Sequence, residues 1–89
     1  MAVISHRDRR FKKLFAMLPA HIQALAVKNY SLWRDNPWHP SLNFEELEPG
    51  RWSVRIGRDY RALGKKQADG VIVWTWIGSH ESYNKLIRQ

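Results

Sequence analysis

Residues 51–77, RWSVRIGRDYRALGKKQADGVIVWTWI, are where the hydrophobic period of the chain changes. Trp52, Val54 and Ile56 alternate with Arg51, Ser53 and Arg55, a period of two that predicts a strand with one buried face and one polar, basic face. After Gly57-Arg58-Asp59, the run from Tyr60 to Lys65 predicts a second strand, and KKQADG is a turn by composition. Val71 to Ile77 is apolar on both faces, rich in β-branched and aromatic residues and short for a helix. That pattern predicts an interior strand covered on both sides.

Upstream of this stretch the period is helical. Phe11, Leu14, Phe15 and Leu18 recur at i, i+3, i+4 and i+7 and define one helix face, with the basic residues of RDRRFKK mostly on the others. Pro19 breaks the pattern and suits the first turn of a second helix. Ile22, Leu25, Ala26, Tyr30 and Trp33 carry that helix to Asn36-Pro37, where the residue before proline is pushed out of the α region. NPWHPSL reads as a loop, and FEELEPG as a short strand closing on Pro49-Gly50. Ala2 to Ser5 are apolar enough for a short first strand, or form a lead into the first helix. Downstream, Ser79 is placed to cap a last helix in SHESYNKLIRQ. Helices first and strands afterwards indicate an α+β fold: an N-terminal helical hairpin on one face of a small, mostly antiparallel sheet of three to five strands, with a short C-terminal helix. The other face of that sheet, carrying Ser53 and Arg55, is expected to be free.

The chain has 89 residues, which is one domain over residues 1–89 with area for a single core. Hydrophobic residues make up 44% of it, enough to place it in the globular class despite its many charges. Fifteen Lys and Arg against eight Asp and Glu give a net charge of +7, and nine of the fifteen are Arg, whose planar fork suits phosphate. The charge is segregated. Arg7 to Lys13 holds five basic residues against Asp8, and Arg51 to Lys66 holds six against Asp59. Asp35 to Gly50 has four acids and no Lys or Arg. A polyanionic partner follows from this balance, with an ordinary solvated surface as the plain alternative. Without cysteine there is neither a disulfide nor a thiolate metal site. MAVISHRDRR lacks the apolar core of a signal peptide, and no apolar run approaches a membrane span, so the expected location is cytoplasmic, with no membrane partner.

Metal and nucleotide motifs are missing from the sequence: His6, His21, His39 and His80 show no ligand spacing, and there is no P-loop, GxGxxG or GxSxG. No cofactor is expected. The residues that remain suit metal-free cleavage of RNA, in which the substrate's own 2′-hydroxyl attacks the adjacent phosphate. The protein then needs to move protons, as histidine can, and to neutralise phosphoryl charge, as arginine can. His80 follows the interior strand, and Arg55 and Arg61 flank a hairpin, so sheet pairing could gather all three. The plainer readings are a surface histidine at 80, solvated pairs of Arg55 and Arg61 with the acids of FEELE, and a core tyrosine at 83.

Taken together, LPAHIQALAVKNYSLWRDNPWHPSL, WSVRI, YRALG and IVWTWIGSHESYNKL resemble the RelE/ParE superfamily of type II toxins, closest to its RelE-like, mRNA-cleaving branch. The resemblance covers nearly the whole chain. It implies two N-terminal helices on an antiparallel sheet, a cognate antitoxin as protein partner, and metal-free cleavage of mRNA on the ribosome. By the same resemblance Arg55 and Arg61 would stabilise phosphate charge, His80 would transfer a proton, and Tyr83 would stack on a base or transfer a proton. Arg51, Arg58, Lys65 and Lys66 would hold RNA backbone. The superfamily also has a ParE-like branch that inhibits DNA gyrase without a nuclease centre, so a non-catalytic toxin, or a toxin-like RNA-binding module, is the alternative.

Overall fold

The fold is that of a computed structural model, which describes residues 5–88. Its first helix, α1 (Arg9–Ala16), starts where Asp8 accepts a hydrogen bond from the Phe11 N–H at 2.8 Å, satisfying one of the free donors of the first turn. Pro19 stands one position earlier than expected, as the N-cap of α2 (Ala20–Asp35), and its carbonyl accepts from the amides of Ile22 and Gln23. The second helix ends at Asp35, as the Asn36-Pro37 pair requires. A single 3-10 turn (Pro40–Leu42) then leads into the sheet, driving Leu42 into complete burial.

Five strands form that sheet: β1 (Ser5–Arg7), β2 (Glu45–Glu48), β3 (Arg51–Ile56), β4 (Tyr60–Lys66) and β5 (Ile72–Ser79). Their order is β1-β5-β4-β3-β2, antiparallel throughout except that β1 lies parallel to β5, Ser5 facing Ile72 and Arg7 facing Trp74. Residues 2–4 of the strand expected from Ala2 to Ser5 lie outside the described residues. The doubly apolar β5 is interior, between β1 and β4. Acidic β2 is an edge strand with every residue exposed, consistent with edges that carry charge to discourage further pairing.

Helices α1 and α2 pack on one face, over Val54, Ile56, Ala62, Ile72, Trp74 and Ile77. Trp33 of α2 is the centre of this core at 1% exposure, edge-on to Trp74 at 5.1 Å and to Phe44 at 5.6 Å. Such pairings add about 0.5–1.5 kcal/mol each beyond area burial.

The opposite face corrects the expectation of a free surface. A third helix, α3 (His80–Ile87), folds back over it and packs Tyr83 and Leu86 against Leu63 and Trp76, making a second small apolar cluster. Ser53, expected on an open polar face, is wholly buried. The reason is alternation itself: Leu63 pairs with Ser53 and Trp76, so that face carries apolar side chains that need cover. What stays open on it is the end bearing Arg55, Arg61 and the start of α3. No helix among the described residues is long and apolar enough to cross a membrane.

Candidate functional site

Three backbone constraints build this end of the sheet. Arg61 pairs directly with Arg55 on β3 and with Gly78 on β5, and Tyr60 pairs with Ser79. The His80 N–H donates to the Asp59 carbonyl at 2.6 Å, tying the first turn of α3 to the β3–β4 turn. Ser79 caps α3, its Oγ accepting from the Ser82 N–H at 3.1 Å and donating to the Ser82 hydroxyl at 3.0 Å. A side chain at a strand end and helix start held this way is better positioned than one on a free loop.

Gly78 contributes by close approach rather than by a turn. A Cβ there would lie 2.7 Å from the ring of Trp76, so only glycine lets that indole lie flat beside the strand. On the cluster rest the phenol ring of Tyr83, 5% exposed, and above it the guanidinium of Arg61, whose carbon is 5.0 Å from the ring centroid. The ring of His80 stacks on Tyr83 at 6.2 Å and 19°.

Arg61 is 9% exposed, and among the described residues no carboxylate lies within ion-pairing distance of it. Its Nε–H donates to His80 Nδ1 at 3.2 Å, while Nη1 is enclosed without a hydrogen-bond partner. Nη2 has no hydrogen-bond partner among the described residues and is not among the enclosed atoms. A cation taken out of water with only an aromatic face and an imidazole for company is costly, and such sites are retained where an anion must be met. The same bond makes His80 Nδ1 the acceptor, which calls for the tautomer with its proton on Nε2.

The four residues expected to do chemistry are thus distributed unequally. Arg61, His80 and Tyr83 form one contact set. Arg55 joins it through the backbone, directly across from Arg61, and like charges in that position repel unless an anion lies between them. Its side chain is exposed, and the residue borders a cleft that Arg58, Ser41 and Asn29 also line, where its carbonyl accepts from Asn29. Tyr83 is buried beneath Arg61, so its ring supports that guanidinium, and an RNA base could stack on it only if the contact opened.

The four residues expected to hold RNA backbone do not share a surface. Arg51 and Lys65 pair across the strands on the face of Arg55 and Arg61, at the far end, with Arg51 bonded to Glu48 at 3.1 Å. Lys66 points to the opposite face, over the ring of Trp52 at 6.0 Å. Arg58 is exposed in the β3–β4 turn. Among the described residues no group of three or more His, Asp or Glu side chains could hold a metal ion. The supporting pair Leu63 and Trp76 was not legible as part of this end of the sheet. The spacing of Tyr83 and Leu86, one turn apart on a short helix, is the signal that points to the supporting pair.

Residues 20–85 match the model of the ParE-like toxin domain. No curated protein matches the chain. Among solved structures, the toxin–antitoxin complex RelBE2 from Mycobacterium tuberculosis contains a chain with a TM-score of 0.72 at 18% identity, covering 90% of this chain and 100% of that one. The isolated RelE toxin of Escherichia coli gives 0.66 at 15% identity, covering 98% and 97%. The archaeal RelE–RelB complex from Pyrococcus horikoshii gives 0.68 at 16% identity, covering 89% and 96%. At these identities the solved structures establish a shared fold.

Proposed function

We infer an RNA-cleaving activity for this chain, which belongs to the ParE-like toxin domain family, within the RelE/ParE superfamily of type II toxins. The substrate is mRNA on the ribosome, and the regulator is a cognate antitoxin, as in the RelBE complexes whose toxin chains share the fold. The observation that carries the reading is the nearly buried guanidinium of Arg61, without a carboxylate partner among the described residues and bonded to His80 Nδ1.

In the resting protein His80 Nδ1 is occupied by Arg61. A phosphate that draws the Arg61 fork toward itself releases Nδ1, which then takes the proton of the 2′-hydroxyl. The 2′-oxygen attacks the adjacent phosphorus and the bond to the 5′-oxygen breaks. That oxygen gains a proton from water, and the hydroxide so formed takes back the proton on His80, leaving a 2′,3′-cyclic phosphate, a 5′-hydroxyl and the original ring. Arg61 and Arg55, on either side of the phosphoryl group, offset the charge that builds on its oxygens. Tyr83, Trp76 and Leu63 hold Arg61 in place, and no step requires a metal.

Mapping mRNA ends after brief induction tests the reading. Wild-type protein is expected to arrest growth and to leave new 5′ ends within translated messages, whereas His80→Ala and Arg61→Ala proteins fold but leave few or none in the same interval. Full toxicity of the doubly substituted protein would sink the assignment of these residues. Intact mRNA together with failure of DNA supercoiling would place the chain with the gyrase inhibitors of the superfamily.

A further inference from the structure

One strand position from Arg61, at its cross-strand partner Arg55, begins a cleft of about 410 Å³ between α2 and the β3–β4 turn. Leu25 and Asn29 of α2 form one wall, Ser41 of the 3-10 turn another, and Arg55, Gly57 and Arg58 the third. Gly57 sets its depth. Its φ of +62° is a left-handed conformation that strains any other residue, and a Cβ there would stand 2.6 Å from Leu25 Cδ2, so a larger residue would displace the end of that side chain along the wall.

The chemistry of these walls is one-sided. Both guanidiniums are exposed, and no described carboxylate lies within 4.0 Å of either, although Asp59 follows Arg58 directly. Asn29 is held over the strand by a long hydrogen bond from its Nδ2 to the Arg55 carbonyl at 3.5 Å. The Ser41 hydroxyl lies 2.8 Å from His39 Nδ1, a contact that a stronger acceptor can replace. Arg55 belongs to both places, lining the cleft while pairing across the strands with Arg61.

We propose that this cleft is a second phosphate subsite: Arg55 and Arg58, with the amide of Asn29 and the hydroxyl of Ser41, take the backbone phosphate next to the one held at Arg61 and His80. The proposal rests on RNA being the ligand of the neighbouring site. It gives Arg55 the role of a bridge between two phosphates, and it makes Arg58 a residue that selects for length of RNA rather than for cleavage.

Uncleavable 2′-O-methyl oligonucleotides test this by direct binding to the full chain. A dinucleotide carries one bridging phosphate and a trinucleotide two. Wild-type protein is expected to bind the trinucleotide more tightly. Arg58→Ala, and more so Arg58→Glu, should weaken trinucleotide binding about tenfold, the worth of one charge-assisted contact, while leaving dinucleotide binding unchanged. The salt dependence of trinucleotide binding should flatten in step, by about 0.7 in the slope of log K against log salt for each lost contact. A trinucleotide advantage that survives both substitutions overturns the proposal, as does a wild-type protein that binds neither oligonucleotide. Unchanged oligonucleotide affinities in Arg58→Ala, with loss of affinity for hexaglutamate, overturn it too and assign the cleft to an acidic polypeptide. Trinucleotide binding that depends on Arg58 in a protein that leaves mRNA intact keeps the subsite and refutes the nuclease reading.

Discussion

Arg61 donates to one side chain, lies over the ring of another and presents one free nitrogen, so its geometry matters as well as its charge. Arg61→Lys separates the two: the ammonium retains the charge but cannot reproduce the Nε–H bond to His80 within the same planar fork. Cleavage by that variant should fall at least about tenfold, the worth of one charge-assisted hydrogen bond, with thermal stability little changed. Nitrogen-15 NMR of the imidazoles reads the cause, since His80 should be protonated on Nε2 alone in wild-type protein and lose that preference in the variant. A wild-type ring protonated on Nδ1 would contradict the mechanism. His80→Ala should lower the single-turnover rate by about 10²–10⁴, the usual contribution of a proton-transfer residue. Arg61 and His80 could be singled out from the sequence by type and expected near one another, but the hydrogen bond between them could not. It depends on the β4–β5 register, in which Arg61 falls opposite Gly78 and not one residue away, and on a backbone bond from His80 to Asp59 that no side-chain pattern reveals.

The elements show where alternation and periodicity suffice as a guide and where they do not. The stripe Ile22, Ala26, Tyr30, Trp33 and the apolar run of β5 anticipate α2 and an interior strand, because each pattern has one way to bury itself. The fate of the second sheet face was hidden, because a strand pattern tells which residues share a face and not which helix will cover them. Lys65 and Lys66 illustrate the cost of ignoring alternation: neighbours in sequence, they leave β4 on opposite faces. Lys65→Ala should therefore weaken RNA binding a few-fold while Lys66→Ala leaves it nearly unchanged, as filter binding at fixed salt would show; equal losses would contradict a site confined to the Arg61 face. Helix α3 depends on its cap. Ser79→Ala removes the bond to the Ser82 amide and should cost about 1 kcal/mol in urea unfolding. Gly78→Ala forces a methyl against the Trp76 ring and should cost about 1–3 kcal/mol.

Across the whole molecule, two apolar clusters of unequal size lie on the two faces of one sheet, and the larger is organised by a single indole. Trp33→Ala should cost about 3–5 kcal/mol, a large share of the roughly 5–15 kcal/mol that holds a domain of this kind together, and circular dichroism would find it partly unfolded near physiological temperature. The pairing of β1 with β5 has a temporal side as well. A chain is made from its N-terminus, so Ser5–Arg7 leave the ribosome long before Ile72–Trp74 exist to receive them, with nearly the whole domain synthesised in between. During that interval Arg61 has neither its neighbouring strand nor His80 beside it. A nascent chain therefore lacks the Arg61–His80 contact until β5 and the first turn of α3 have both been made.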